Sequence, residues 1–187
     1  MTKALIVYGT RYGATASTSE EIAKTLRQEG LEIRVTDAKK EEIKGIAEYD
    51  LVVVGSGIVM NKWNAEPERF LEKFQKELAK KDVALFVCCG HGCEALNEGN
   101  PNVIAEFRSE YLEEKAAKYN LQPIALGFFG AIYDYTKLSW LMNRAPPVQT
   151  TRRKLEAFYK EKKDVYDMRD LDSIRRWAKE LSKKVRS

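Results

Sequence analysis

At 187 residues, 44% hydrophobic and 32% charged, the chain has the length and composition of one globular domain with a sizeable core, which argues against disorder. Its net charge of +4 is too small to argue for nucleic-acid binding, and no apolar run reaches the length of a membrane span. The three cysteines all lie between Cys88 and Cys93, which argues against a disulfide framework; with no secretory-signal pattern at the start, the expected location is a reducing cytoplasm.

Strand and helix signals alternate along the chain. Ala4–Tyr8 is apolar on both parities, as in a strand buried on both faces. A loop, Thr10-Arg11-Tyr12-Gly13-Ala14-Thr15, leads into a predicted helix from Ala16 to Gln28, with Ile22, Ala23 and Leu26 as its apolar stripe and Gly30 as its stop. Leu31–Val35 alternates strictly and predicts a strand near an edge. Lys39–Glu48 reads as a short helix or a loop. Asp50–Gly55 is the clearest central strand, and Ser56–Asn64 the loop after it. Pro67 opens a helix whose buried face is Phe70, Leu71, Phe74 and Leu78. Val83–Cys88 is a further strand, and Cys89–Asn97 again a loop after a strand. A helix from Pro101 to about Tyr119 and a strand over Ile124–Gly130 come next. Residues 131–150 break the alternation and read as an insertion stopped by Pro146-Pro147. A last helix has Asp172 or Ser173 as its cap, with Ile174, Trp177, Ala178 and Leu181 on one face.

Five βα units imply a doubly wound five-stranded parallel sheet with helices on both faces, in a single domain over 1–187. Ligands of such sheets bind at the carboxyl ends of the strands, at the switch point. Three loops meet there. In the first, the backbone amides of a helix N-terminus and the hydroxyls of Thr10 and Thr15 can hold a phosphate, and Gly13 lets the backbone approach it. The competing reading is an ordinary βα turn. The second and third loops offer apolar and aromatic walls, so a flat aromatic ligand carrying a phosphate fits all three. Neither the dinucleotide fingerprint G-x-G-x-x-G nor the Walker pattern is present in the first loop.

The run Thr10-Arg11-Tyr12-Gly13-Ala14-Thr15 after the first strand resembles the FMN-phosphate loop of flavodoxins. Its T-R-x-G-x-T form looks most like the flavodoxin-like branch that includes the menaquinone-dependent protoporphyrinogen dehydrogenase of bacteria. The similarity continues through Gly55–Phe70, Gly130-Ala131-Ile132-Tyr133 and the terminal helix carrying Trp177-Ala178. The resemblance implies a flavodoxin-like fold and noncovalent FMN. The first loop (Thr10, Arg11, Tyr12, Gly13, Ala14, Thr15) would hold its phosphate. Ser56, Gly57, Ile58, Val59, Met60, Asn61 and Trp63 would pass one side of the isoalloxazine, and Cys89, Gly90, His91, Gly92, Cys93 and Asn97 the other. Gly57 is the candidate for a peptide that changes orientation on reduction, and Trp63 either stacks on the ring or packs under the following helix.

The chain departs from the resembling families in three places. It is slightly basic overall where flavodoxins place an acidic surface, its third loop is Cys-Gly-His-Gly-Cys, and Val59 stands where the dehydrogenase branch has Arg. Cys89, His91 and Cys93 do not have a standard zinc or iron–sulfur spacing, so no metal is expected; a redox pair of Cys89 and Cys93 and a plain flavin loop both remain open. His91, the only histidine, is the candidate for acid–base chemistry or holds the loop by a backbone hydrogen bond. Thr150–Ser187 is rich in Lys and Arg, which reads as a solvated basic helix or as a surface for an acidic partner or membrane. Within 133–144, Leu138, Leu141 and Met142 are predicted on one helical face, as a peripheral membrane or quinone-access element or as a cover for an apolar edge. Two functions are compatible with these residues: an electron carrier for a redox protein partner, or a flavoenzyme that dehydrogenates protoporphyrinogen or a similar substrate and reduces a quinone.

Overall fold

A computed structural model describes residues 2–92 and 100–185. Five parallel strands form the sheet: β1 (Lys3–Gly9), β2 (Glu32–Asp37), β3 (Leu51–Val59), β5 (Asp82–Cys88) and β6 (Ala125–Phe129), in the spatial order β2-β1-β3-β5-β6. The order reverses between β1 and β3, which makes that crevice the switch point. Gly9 lies opposite Ser56, and Gly57 opposite Cys88, so the three chain segments of interest leave the sheet along one edge. β2 is the edge strand, and its alternating burial is what its alternating sequence requires.

The inner strands are apolar on both parities because both faces are covered. On one face Ala4, Ile6, Leu51, Val53 and Phe86 pack against Ile22, Ala23 and Leu26 of α1 (Ala14–Gln28), and against Ile174, Ala178 and Leu181 of the last helix, Leu171–Lys184. On the other, Leu5, Val7, Val52, Val54 and Leu85 pack against Phe70, Leu71, Phe74 and Leu78 of α2 (Ala65–Leu78). Leu112 and Ala116 join this second cluster from a helical run made of α3 (Pro101–Arg108), a π turn at Ser109–Glu113 and α4 (Glu114–Lys118).

Several expected boundaries move, each for a local reason. The first helix starts at Ala14, because Gly13 adopts φ +95° and ends the loop there. Ser56–Val59 is not loop: β3 runs on to Val59 and pairs antiparallel with β4 (Lys62–Trp63) across a tight turn. Met60 and Asn61 take φ 50° and 59°, the left-handed pair a two-residue hairpin requires, without a glycine to signal it. Lys39–Glu48 holds neither helix nor strand. The last helix is capped by Asp170 rather than Asp172 or Ser173; its carboxylate accepts from the backbone amides of both.

Residues after β6 are more structured than an insertion of 131–150 suggests. β7 (Ile132–Asp134) pairs antiparallel with β8 (Val165–Asp167), and between them lie a 3-10 turn at Tyr135–Lys137, α5 (Trp140–Arg144) and α6 (Pro146–Tyr159). Pro146 and Pro147 start α6, where their missing N–H groups cost no hydrogen bond. This region carries its own buried cluster, Tyr135, Leu155, Tyr166 and Met168. The chain then closes with the last helix, α7 (Leu171–Lys184).

Candidate functional site

The site is built first by α1. Gly13 is its N-cap, no side chain caps it, and its first turn carries no acid. The amides of that turn therefore face the end of β1 with a positive dipole and no carboxylate competing for them. Thr10 Oγ1 accepts from Gly13 N at 3.0 Å, which closes the loop and leaves the hydroxyl its own proton to donate. Arg11 is exposed, its guanidinium 5.5 Å from the Tyr12 ring. Ala14 and Thr15 are buried beneath the loop. The Thr15 and Thr18 hydroxyls turn down to the Cys88 thiol, which burial pushes up to about 11 against those two hydrogen bonds; it stays protonated at neutral pH.

In the second segment, Ser56 is fully buried and works as a strut. Its hydroxyl donates to Gly57 O at 2.9 Å and accepts from Asn64 N at 2.9 Å. Asn64 Nδ2 donates to Gly9 O at 2.9 Å and to Gly57 O at 3.3 Å, tying the ends of β1 and β3 together across the switch point. The Gly57 carbonyl is thus held by two donors inside a strand. Ile58 and Val59 are half-buried and Met60 is exposed. Asn61 lies in the hairpin turn. Trp63 packs under the following helix: it is buried in the core, and its indole N–H donates to Tyr111 O at 2.8 Å.

The third segment puts Cys88 and Cys89 on opposite faces of the sheet, in different core clusters. Gly90, His91 and Gly92 form a 3-10 turn, and the His91 imidazole stacks on Phe107 with ring centroids 3.9 Å apart. Cys93 and Asn97 lie outside the described residues.

These segments meet the region after β6 around a cavity of about 280 Å³. Tyr12, Ile58, Val59, Met60 and Gly90 line one side; Ala131–Tyr135, Leu138, Met142, Pro147, Val148 and Thr151 line the other. The expected amphipathic helix is only one turn long, so its apolar residues divide. Leu138 and Met142 reach the cavity, whereas Trp140 and Leu141 are 70% and 67% exposed beside it. Asn143 braces the turn, its amide donating to Tyr135 O and Leu138 O.

Two cations also come in from this region, one to the first loop and one to the start of α1. Lys137 Nζ donates to Tyr12 O at 3.3 Å and pairs with Asp134 at 3.2 Å. Arg169, its side chain 8% exposed, pairs with Asp167 at 2.7 Å and donates to Ser17 Oγ at 2.7 Å on α1. In the sequence Lys137 is only a basic residue beside the apolar face predicted within 133–144, and Arg169 does not stand out at all, since no local pattern links residue 169 to residue 17. Among the described residues no group of His, Cys, Asp and Glu can hold a metal ion, and no helix is long and apolar enough to cross a membrane.

The arrangement defines a doubly wound protein whose β1/β3 switch point presents an uncapped helix N-terminus beside an apolar cavity. The chain belongs to the flavodoxin-domain family, whose model matches residues 5–145. Solved structures agree on the fold. A short-chain flavodoxin associated with a non-canonical PDU bacterial microcompartment is 14% identical, with a TM-score of 0.60 and 100% of both chains covered. Oxidised flavodoxin 1 from Bacillus cereus is 15% identical, with a TM-score of 0.58 over 99% of this chain and 100% of that one. The flavodoxin of Streptococcus pneumoniae TIGR4 is 16% identical, with a TM-score of 0.58 over 98% and 100%.

Proposed function

We infer that the chain is an FMN-binding electron-transfer protein of the flavodoxin type. The observation that carries this is the N-terminus of α1, uncapped, free of acid, and opening at the switch point of a flavodoxin-family fold beside an apolar cavity. The donor set fits a phosphate monoester: consecutive amides, the Thr10 hydroxyl and Lys137. The backbone of Thr10–Thr15 would hold that phosphate, with Ile58–Met60, Gly90 and Tyr133 against the ring. Bound there, FMN supplies one- and two-electron redox chemistry. The chain's own part is to orient the group, through the Ser56–Asn64–Gly9 hydrogen bonds that fix the crevice. Leu138, Met142 and Val148 give the cavity an apolar wall. Titrating apoprotein with FMN and following flavin fluorescence tests the reading; saturable quenching is expected, and a protein that takes up no FMN overturns it.

The finer reading is the quinone-dependent dehydrogenase branch, whose ground is the T-R-x-G-x-T loop and the apolar segment 133–144 beside the cavity. Val59, where that branch carries Arg, stands against it. Rapid reduction by porphyrinogen and reoxidation by menaquinone would establish that reading; exchange with a redox protein alone would leave the carrier. We read residues 1–187 as one domain with the segment after β6 as its insertion. Exposed Met60, Trp140 and Leu141 at the cavity mouth are the surface for a protein partner or a peripheral membrane contact, which lipid flotation with and without 133–144 distinguishes.

A further inference from the structure

We propose that Lys137 is a phosphate-binding residue that selects phosphorylated over unphosphorylated flavin, an inference that rests on the FMN reading above. Apart from Arg11, whose exposed guanidinium lies 5.5 Å from the Tyr12 ring, the donors of the first loop are neutral: backbone amides and one hydroxyl. Lys137 brings an ammonium, paired with Asp134, to them from the region after β6, 125 residues along the chain from Tyr12. Its ammonium lies 3.7 Å from where a side chain at Gly13 would begin. A Cβ at position 13 would be in ordinary contact with that ammonium, and the position disfavours any other residue through its φ of +95°.

The lysine is held and yet reachable. Asp134 pairs with it at 3.2 Å and itself accepts from Thr136 N and Thr136 Oγ1, which fixes the carboxylate against the 3-10 turn. The carboxylate is 11% exposed, whereas the Lys137 side chain is 56% exposed. The ammonium has three donors, of which one goes to Tyr12 O and one to Asp134. The third remains for a ligand at the loop. Arg169 supports the same end of α1 from the other side as a positioning residue. It is spent on Asp167 and on Ser17 Oγ, and Ser17 in turn donates to Gly13 O or Ala14 O, so Arg169 steadies the loop without presenting its own charge. A phosphate dianion at this loop therefore meets a charge-assisted hydrogen bond that riboflavin, lacking the phosphate, cannot use.

A latch role, in which Lys137 only ties the region after β6 to Tyr12 O, predicts something different: loss of the lysine would weaken FMN and riboflavin alike. The test uses the full chain, freed of flavin, with FMN and riboflavin as probes followed by flavin fluorescence at two or more salt concentrations. For Lys137→Gln, FMN affinity is expected to fall about tenfold to a hundredfold, with riboflavin affinity unchanged and the salt dependence of FMN binding reduced. Lys137→Arg should restore most of the difference. Unchanged riboflavin binding also shows that the variant is folded. Equal losses for the two flavins, or no loss for either, overturn the proposal while leaving the FMN reading intact. A wild-type chain that binds neither flavin overturns both.

Discussion

Gly13 and Gly130 are two positions where the surroundings disfavour a side chain, for different reasons. Gly13 holds φ +95° at the start of α1, a conformation that strains a β-branched residue by about 1–3 kcal/mol. Gly13→Val is therefore expected to lose about that much stability in a urea titration and to weaken FMN binding tenfold or more, since the new side chain points toward Lys137. Gly130 has an ordinary φ, but a Cβ there would lie 2.1 Å from the Met168 carbonyl oxygen. Gly130→Ala should cost about 1–3 kcal/mol, read as a lower urea midpoint with an unchanged slope. Only the first of these glycines is legible in the sequence, because its reason is local. The reason for Gly130 lies in a backbone 38 residues further on, and the contact of Arg169 with Ser17 spans 152. Thr15 shows the converse: a hydroxyl in the right loop has its direction set by Cys88 beneath it, which no spacing rule encodes.

Among the elements, the five parallel strands and α1, α2 and α7 follow from their apolar periodicity, and their bounds shift by a few residues at most. What the pattern hides is the hairpin of β3 and β4, because Met60 and Asn61 take left-handed conformations without the usual glycine. The helix caps are similarly ambiguous where acids cluster. Asp170, Asp172 and Ser173 all suit a cap, and the choice falls on Asp170 because its carboxylate reaches two amides, with Oδ2 also accepting from the Ser173 hydroxyl at 2.6 Å. Asp170→Ala should lower stability by about 1 kcal/mol, seen as a shift in denaturant midpoint. Glu68 of α2 gives a pH test. Burial raises its pKa, but Lys115 at 2.8 Å and Lys118 at 2.7 Å outweigh that and hold it at about 2. A carboxylate with a depressed folded pKa contributes stability above its unfolded pKa and loses it as the pH falls through the folded one. The contribution is thus expected to be full above about pH 5 and to fade down to pH 2. With solvent screening of a partly exposed cluster it amounts to ~1–2 kcal/mol. Urea midpoints of wild type and Glu68→Gln should differ at pH 7 and converge near pH 2.

At the scale of the molecule, part of the basic C-terminal stretch is spent within the fold. Arg152 pairs with Glu156 and Asp164, Arg169 with Asp167, and Arg175 with Glu21 and Asp172, so these three cations brace the fold. The region after β6 is the larger departure from what the sequence shows. Its strands are three residues each, and its apolar residues serve two surfaces at once, so no single periodicity emerges. Tyr135, Leu155, Tyr166 and Met168 form a cluster separate from the two that sandwich the sheet, while Tyr133, Leu138 and Val148, packed on that cluster, also line the cavity. A region with its own small core can loosen without the sheet unfolding. Leu155 is fully buried at the centre of that core, and truncating such a side chain costs about 2–5 kcal/mol. If the cost falls on the region alone, Leu155→Ala should leave the urea midpoint of the sheet nearly unchanged. It should weaken FMN binding severalfold, because binding must then close the loosened wall. Saturating FMN should restore slow hydrogen exchange to the amides of 132–137. A variant whose whole fold loses the full amount, with FMN affinity intact once folded, would show instead that this region is continuous with the main core and has no independent hold on the site.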